Sequence, residues 1–412
     1  MFAFLFNERL GCMCHPENCS VVLTSIFKSS NFQIFKSIAK PYLYNSMYLQ
    51  QLSVINFKNY EEAELVFSKG VNAFTGNNGA GKTNLLDAIH YLSLCKSYFN
   101  PIDSQQIKQG SDFFIITGVF NKNQQTEAVA CSVKRNQKKQ FKRNKKDYQR
   151  LADHIGLLPL VMISPYDTSI ITEGSEERRK FIDNVISQTD NHYLDELITY
   201  NKVLANRNAL LKLIADTGRY DPSLLEVMDE QLVQSGNRIF ERRKAFMEGF
   251  TEIFNKHYSF LSNDAELVEL AYESQLLQDD FAGLLKKTVE RDRALERTTA
   301  GIHKDDLQFG IHGMAIKKFG SQGQQKSFLI ALKLAQYTFL YQQKGFKPLL
   351  LLDDIFDKLD DERVTKLMKM VSNNDFGQVF ITDTSVKRVS EIFDKIAVEV
   401  KLFNVSKGAI DA

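Results

Sequence analysis

The chain has 412 residues, 43% of them hydrophobic and 25% charged, with a formal net charge of +2. That is enough chain for two or three domains and a large core, and too even a charge balance for a globally basic nucleic-acid binder. No apolar run is long enough to cross a bilayer, and Cys12, Cys14, Cys19, Cys95 and Cys131 are too few and uneven for a disulfide framework, so a reducing cytoplasm is expected.

Residues 1 to 46 show no clear periodicity. Their apolar start, Met1 to Phe6, is short for a signal peptide and lacks a basic lead and a small-residue cleavage site. The segment reads as a disordered tail or an upstream extension, with Met47 as the natural start. Cys12-x-Cys14-His15 with Cys19 resembles half of a zinc site, but no second ligand pair follows. From Met47 the pattern sharpens: Tyr48 to Phe57 reads as a strand, Lys58-Asn59-Tyr60 as a turn, and Ala63 to Phe67 as a second strand.

Next come a short apolar strand, Val71 to Thr75, then Gly76-Asn77-Asn78-Gly79-Ala80-Gly81-Lys82-Thr83, then Asn84 to Leu92 with apolar residues at helical spacing. Strand, Gly-x4-Gly-Lys-Thr loop and helix together are the context a phosphate-binding loop requires. The glycines let consecutive N–H groups turn toward a polyphosphate, and the helix start adds partial positive charge there. Lys82 is placed to reach the β and γ phosphates, and the Thr83 hydroxyl to take one position on Mg2+.

Phe113 to Phe120 and Glu127 to Lys134 read as an antiparallel hairpin. The dense basic run Lys134 to Lys146, interrupted by Phe141, suits phosphate-backbone contact and equally suits a solvated loop. Leu158 to Ile163 is another strand. From Glu176 to about Glu296 the chain is rich in Glu, Lys, Leu, Arg and Gln, with helical spacing at Leu194, Leu197, Ile198 and Leu204 and again at Leu225, Met228, Leu232 and Ile239. Asp221-Pro222 breaks it, and Pro222 suits a helix first turn. This stretch reads as an arm of two or three long helices that interrupts the strand-rich part. Strands return at Leu307 to Ile311, Met314 to Ile316 and Gln378 to Thr382.

Leu349 to Leu352 followed by Asp353-Asp354 places two carboxylates at the end of a buried strand. Asp353 is the candidate for holding Mg2+ opposite Thr83, and Asp354 for acting on an attacking water; being a methylene shorter than glutamate, Asp354 predicts slow hydrolysis. Ser321-Gln322-Gly323-Gln324 opens a helix with a small hydroxyl and a glycine, a second phosphate-binding element that makes sense if it serves the nucleotide of a neighbouring copy.

Taken together, the phosphate loop, helical insertion, Ser-x-Gly-Gln element and Asp-Asp strand resemble the ABC-type ATPase heads of the SMC class, and more narrowly the RecF family of bacterial DNA replication and repair proteins. The resemblance runs from Met47 to the C-terminus. It rests on Phe57 to Tyr60, on Pro165 through Gly174 to Arg178-Arg179-Lys180-Phe181-Ile182-Asp183, on Asn206 to Lys212, on Gly301 to Leu307, and on Leu352-Asp353-Asp354-Ile355-Phe356-Asp357-Lys358-Leu359-Asp360. Departures are Tyr166 in place of an acid and Ser175 in place of a proline. No glutamine stands near Ser164 to sense the γ-phosphate, which leaves Asp167 as the candidate. Transporter-type relatives carry a histidine where this chain has Thr382-Asp383.

The resemblance implies an α/β fold: an ABC-type P-loop ATPase head with mixed sheets, interrupted by a helical arm. Its parts would be an extension over 1–46, an N-terminal half of the head over 47–175, the arm over 176–300 and a C-terminal half over 301–412. It implies ATP and Mg2+ as cofactors, with Lys82, Asp353 and Asp354 as catalytic residues and Thr83 and Asp353 at the metal. Nucleotide would be held by Gly76 to Thr83 of one copy and by Ser321, Gly323 and Gln324 of another. It further implies an ATP-dependent homodimer acting as a clamp, binding to single-stranded DNA and to gapped or junction duplexes, weak DNA-stimulated ATPase activity used as a switch, and a cytoplasmic, nucleoid-associated protein. RecR- and RecO-type mediators would be its partners in loading a recombinase. The alternatives are another SMC-like chromosome-maintenance ATPase, or the ATPase subunit of a transporter, which generally lacks so long an arm. His303 beside Asp305 and Asp306 reads as loop packing before metal binding, and Arg178 and Arg179 read as pairing with Glu176, Glu177 or Asp183 as readily as with DNA.

Overall fold

In a computed structural model of the chain, residues 46–411 are described apart from Ala265, Leu359 and Asp360. The Cys12-Cys14-Cys19 cluster and nearly all of the expected N-terminal extension lie outside the described residues. The chain opens with strands β1 (Met47–Phe57), β2 (Tyr60–Val66) and the short β3 (Val71–Thr75), followed by helix α1 (Lys82–Leu94). A hairpin of β4 (Phe113–Lys122) and β5 (Gln125–Lys134) continues through β6 (Gln140–Arg143) and β7 (Lys146–Asp147) before β8 (Leu160–Ile163). Helices α2 (Ser175–Ser187), α3 (Asn191–Thr217) and α4 (Pro222–Ser262) come next, then β9 (Val268–Glu273) and α5 (Phe281–Ala294). The chain continues through β10 (Asp306–Ile311), β11 (Met314–Ala315), α6 (Gln322–Lys344), β12 (Leu349–Leu352) and α7 (Asp361–Ser372). It closes with β13 (Val379–Asp383), α8 (Val386–Lys395), β14 (Val400–Ser406) and β15 (Ala409–Asp411).

One sheet is antiparallel, in the order β2-β1-β4-β5-β6-β7, and another runs β15-β14-β3-β13-β12-β8 with all but the edge strand β15 parallel. The parallel sheet thus takes β3 and β8 from before the helical stretch and the rest from after it. Leu349 to Leu352 are all buried, as a central parallel strand requires. Alternation sends Leu349 and Leu351 into the core shared with α1 and the antiparallel sheet, and Leu350 and Leu352 into the core on the other face with α4 and α6. Each such leucine contributes about 1.5–3 kcal/mol of burial.

Helix ends follow local chemistry. Asp221 accepts from the Ser223 N–H with Pro222 in the first turn, and α3 ends on Gly218 at φ 68°. Helix α4 is 41 residues long and buries Leu225, Leu232, Ile239, Phe246, Phe250 and Phe254 at helical spacing. The stretch expected to be wholly helical nevertheless contains β9, which pairs antiparallel with β10 along its length, from Val268 opposite Ile311 to Glu273 opposite Asp306. Val268-Glu269-Leu270-Ala271-Tyr272-Glu273 carries period-two alternation that is easily lost in a glutamate-rich context. Met314 to Ile316 likewise shortens to a two-residue strand, since Ile316 begins a helical turn.

Arginines fasten the helices. Arg207, fully buried, pairs with Asp229 at 2.6 Å and Asp292 at 2.7 Å, joining α3, α4 and α5. Arg243, buried on α4, pairs with Asp305 at 2.7 Å and Asp183 at 2.9 Å. Arg178 does not pair with its sequence neighbours: it meets Asp306 at 2.6 Å, and Arg179 donates to the Asp305 carbonyl at 2.6 Å. Their partners lie across the fold because α2 packs against β10, so the two arginines anchor the Gly301–Leu307 segment. Among the described residues no helix is long and apolar enough to cross a membrane.

Candidate nucleotide site

Strand β3 ends at Thr75, and the chain turns at once through Gly76 to Gly81 into α1. Gly76 and Gly81 sit at φ 146° and 119°, where a side chain is strained. A Cβ on Gly76 would lie 2.1 Å from the Val405 carbonyl oxygen, and one on Gly81 would lie 2.4 Å from Asn59 Nδ2. Lys82 Nζ folds over the loop and donates to the carbonyls of Gly76 at 2.8 Å and Asn77 at 3.1 Å. An ammonium held there lies across the bend of the loop, where a phosphate would share it.

The turn after β1 clamps the loop from behind. Asn59 Nδ2 donates to the Ala80 carbonyl at 3.0 Å, Asn84 Nδ2 donates to Asn59 Oδ1 at 2.7 Å, and the Tyr60 hydroxyl donates to the Gly81 carbonyl at 3.1 Å. Lys58 pairs with the fully buried Asp87 of α1 at 2.6 Å. Phe57 to Tyr60 marked the family resemblance without any assigned task; the structure makes this turn the support that fixes the loop.

Opposite the loop, four parallel strands end together. Thr83 Oγ1 donates to Asp353 Oδ1 at 2.8 Å, Thr382 Oγ1 donates to the same oxygen at 2.9 Å, and Ser164 Oγ donates to Asp353 Oδ2 at 3.4 Å. Asp353 is 3% exposed, and burial, the leading cause, raises its carboxyl above the ordinary aspartate value, with the neighbouring Asp354 adding to the shift. No lysine or arginine among the described residues pairs with it. A buried, hydroxyl-lined carboxylate without a counter-charge is an oxygen donor set suited to a hard divalent cation. Asp354 is half-buried, sits at φ 46° and donates its N–H to Thr382 Oγ1 at 2.8 Å. Sequence reasoning missed Ser164 and Thr382; the only signal was their position at strand ends.

Asp167, the candidate γ-phosphate sensor, is committed elsewhere. Its carboxylate pairs with Lys333 at 2.5 Å, accepts the Tyr98 hydroxyl, and caps its own turn through the Ser164 N–H at 2.7 Å. Ser164 is the residue of that turn that reaches Asp353.

Ser321 caps α6 in a capping box, with Gln324 N–H donating to Ser321 Oγ at 3.2 Å and Ser321 N–H to Gln324 Oε1 at 2.8 Å. Gln324 Nε2 donates on to Glu266 at 2.8 Å. A Cβ on Gly323 would make ordinary contact, at 3.6 Å with Arg363 and 3.8 Å with Ser321 Oγ. These bonds stay within the segment and Glu266, and leave an exposed helix start rather than reaching the loop of the same chain.

The basic run divides in two. Lys139 bonds to the Cys95 carbonyl at 2.6 Å and pairs with Asp103 at 2.9 Å, while Arg143 pairs with the buried Glu127 at 2.5 Å, so these cations hold structure. Lys134, Lys138, Lys145 and Lys146 are exposed. His303 bonds to Tyr200 at 2.8 Å and to the Thr298 carbonyl at 3.1 Å, and burial lowers its pKa to about 4, so it packs as a neutral ring. Among the described residues no cluster of three His, Cys, Asp or Glu could hold a metal.

A family model described as the RecF/RecN/SMC N terminal domain matches residues 48–409. The DNA replication and repair protein RecF of Flavobacterium johnsoniae is 52% identical over 359 residues, which cover 87% of this chain and 100% of that protein. The same-named protein of Parabacteroides distasonis is 50% identical over 364 residues, covering 88% and 99%. Among solved structures, the recombination mediator protein RecF with ATP, in the RecFOR pathway, superposes with a TM-score of 0.81 at 32% identity, covering 90% of this chain and 99% of that one. An Smc head domain from Pyrococcus furiosus superposes with a TM-score of 0.52 at 18% identity over 89% and 95%, a likeness of fold.

Proposed function

The chain belongs to the RecF/RecN/SMC N-terminal domain family, and on that footing we propose a RecF-type, ATP-dependent DNA-binding protein of DNA replication and repair. The observation that carries this reading is the contact of Thr83 with Asp353, which brings the glycine loop and the buried acid to one point. ATP would lie along Gly76 to Thr83, with Lys82 on its terminal phosphates. Thr83 and Asp353 fit Mg2+, which when bound would neutralise charge between the β and γ phosphates. Thr382 holds Asp353 and the Asp354 backbone at once, and so sets the Asp354 carboxylate where it would orient water. With an aspartate in that role, turnover would be slow and the hydrolysis a switch.

The exposed start of α6 supports a homodimer in which Ser321, Gly323 and Gln324 of one copy close on the nucleotide of the other. The lysines at 134, 138, 145 and 146 would then contribute to a phosphate-binding surface for single-stranded or gapped DNA. RecR- and RecO-type mediators are the partners this reading implies, and the nucleoid its place of work. We read the head as formed by residues 47–175 and 301–412 with the arm, 176–300, between them.

The test is the mass in solution of the purified chain with Mg2+ and ATP, with and without short gapped DNA, beside Lys82→Ala and Ser321→Ala. A dimer formed only with ATP, lost in Lys82→Ala through failed nucleotide binding and in Ser321→Ala despite retained nucleotide binding, is expected. A mass unchanged in every condition would remove the cross-subunit role of Ser321 to Gln324 and leave a monomeric ATP-binding DNA module.

A further inference from the structure

The start of α6 is by itself a weak place for a phosphate. Its capping box already takes the N–H groups of Ser321 and Gln324, and Gln324 Nε2 donates to the Glu266 carboxylate at 2.8 Å, which sets a negative charge beside the element. A polyphosphate arriving there needs a cation to offset that carboxylate.

One stands there. Arg363 belongs to α7, the helix that follows the Asp353-Asp354 strand end, and its Nε donates to Ser327 Oγ at 2.6 Å. Ser327, fully buried, donates in turn to the Gly323 carbonyl at 3.1 Å, so one edge of the guanidinium is pinned to the first turns of α6. The position that a Cβ would take on Gly323 lies 3.6 Å from Arg363 Nη2, 3.8 Å from Ser321 Oγ and 3.9 Å from Arg363 Nη1. Three polar atoms thus converge on a spot where glycine places no side chain. All three are donors, because the Ser321 hydroxyl accepts from the Gln324 N–H and keeps its own hydrogen to give.

We propose that Arg363 is a further nucleotide ligand that acts in trans, gripping the terminal phosphate of the nucleotide held by the Gly76–Thr83 loop of a second copy of this chain. The assignment rests on the homodimer proposed above. A guanidinium offers two phosphate oxygens a planar fork, where an ammonium offers only a point charge. Gly323 then has to be glycine because a phosphate oxygen comes where a methyl would stand. The stretch that carries Asp353 and Asp354 at one nucleotide also leads, through α7, to the arginine that meets the other, so the two nucleotides of a dimer are linked by one run of chain.

Mass in solution with Mg2+ and ATP reads this, with the wild type beside Arg363→Ala, Arg363→Lys and Gly323→Ala, and with melting temperature and nucleotide affinity measured on each. Arg363→Ala should weaken the ATP-driven dimer by about tenfold for each of its two sites, as for loss of a hydrogen bond to a charged group, while the monomer binds ATP in its own loop as before. Arg363→Lys keeps the charge without the fork and should recover part of the loss. Gly323→Ala separates contact from packing. The residue is helical and a Cβ there meets only ordinary contacts, so alanine should hold or raise the melting temperature, yet its methyl takes the phosphate's place and the dimer should weaken several-fold. Mixing Arg363→Ala with Lys82→Ala should restore a dimer at a concentration where neither forms one alone, because the loop of the first and the arginine of the second complete one site. A wild type that stays monomeric with ATP would overturn the homodimer and this assignment with it. A wild type that dimerises, beside an Arg363→Ala or Gly323→Ala chain that dimerises as tightly or a mixture that recovers nothing, would overturn the role of Arg363 and leave the homodimer standing.

Discussion

Replacing Asp353 by asparagine is expected to make the nucleotide-free protein more stable and to abolish most of its stabilisation by Mg2+ and ATP. Its carboxyl is 3% exposed, faces three hydroxyl donors and has no cation paired with it among the described residues. Burial raises its pKa above the ordinary value, so the folded state holds that proton more tightly than the unfolded chain does. The sign follows: below the unfolded value the group costs nothing, and stability is lost as pH rises from there through the folded value. Three hydroxyl bonds offset part of it, leaving a net penalty of about 1–3 kcal/mol, the range for an imperfectly compensated buried polar group. Asparagine keeps the shape and removes the charge, so the melting temperature without ligand should rise by a few degrees, at about 2–4 °C per kcal/mol for a chain somewhat smaller than this one. Added Mg2+ and ATP reverse the order, because a ligand at a hundredfold excess over its Kd stabilises by about 2.7 kcal/mol only where it binds. Differential scanning fluorimetry at acid and neutral pH, with and without nucleotide, reads all of this. A variant that melts below the wild type in the ligand-free state at neutral pH, or that gains as much from Mg2+ and ATP, would refute the reasoning.

Other substitutions separate support from contact. Asn59→Ala removes bonds of 3.0 Å to Ala80 and 2.7 Å to Asn84, and should weaken ATP binding about fivefold to thirtyfold in a nucleotide titration, from one or two bonds of about 1 kcal/mol. Neutralising Lys138, Lys145 and Lys146 together should lower DNA affinity and reduce the salt slope by about one for each lysine that neutralises a phosphate, without destabilising the fold. Lys139→Ala should do the opposite, lowering the melting temperature with the slope unchanged, because its ammonium holds Asp103 and the Cys95 carbonyl inside the protein. Arg243→Ala leaves Asp183 and the almost fully buried Asp305 without their cation, and urea unfolding should show a loss of about 3–5 kcal/mol.

What could be read from residues alone was what is local. The glycine loop is contiguous, and its strand, turn and helix are each marked by their own residues; Leu349 to Asp354 states a buried strand and its acid end within six letters. The interactions that make these pieces a site are not local. Ser164 and Thr382 are ordinary residues in any sequence, and become donors to Asp353 only because β8 and β13 end beside β12 in a parallel sheet. Arg178 shows the same limit from the other side: its neighbours Glu176 and Glu177 were near at hand, yet its partner is Asp306, 128 positions on. Sequence distance predicts pairing along one helix, through i,i+3 and i,i+4 spacing, and Lys180 with Glu176 and Glu177 obeys it. Arg178 points from the same helix toward β10, and the better partner there is the one that packing delivers. Strand β9 follows the same logic, since the alternation of its six residues is short and set among glutamates, and β10 offers the edge that it pairs with. The chemistry of the site was therefore legible one residue at a time, while the donors and cations that tune it are set by which strand ends and helix faces the fold brings together.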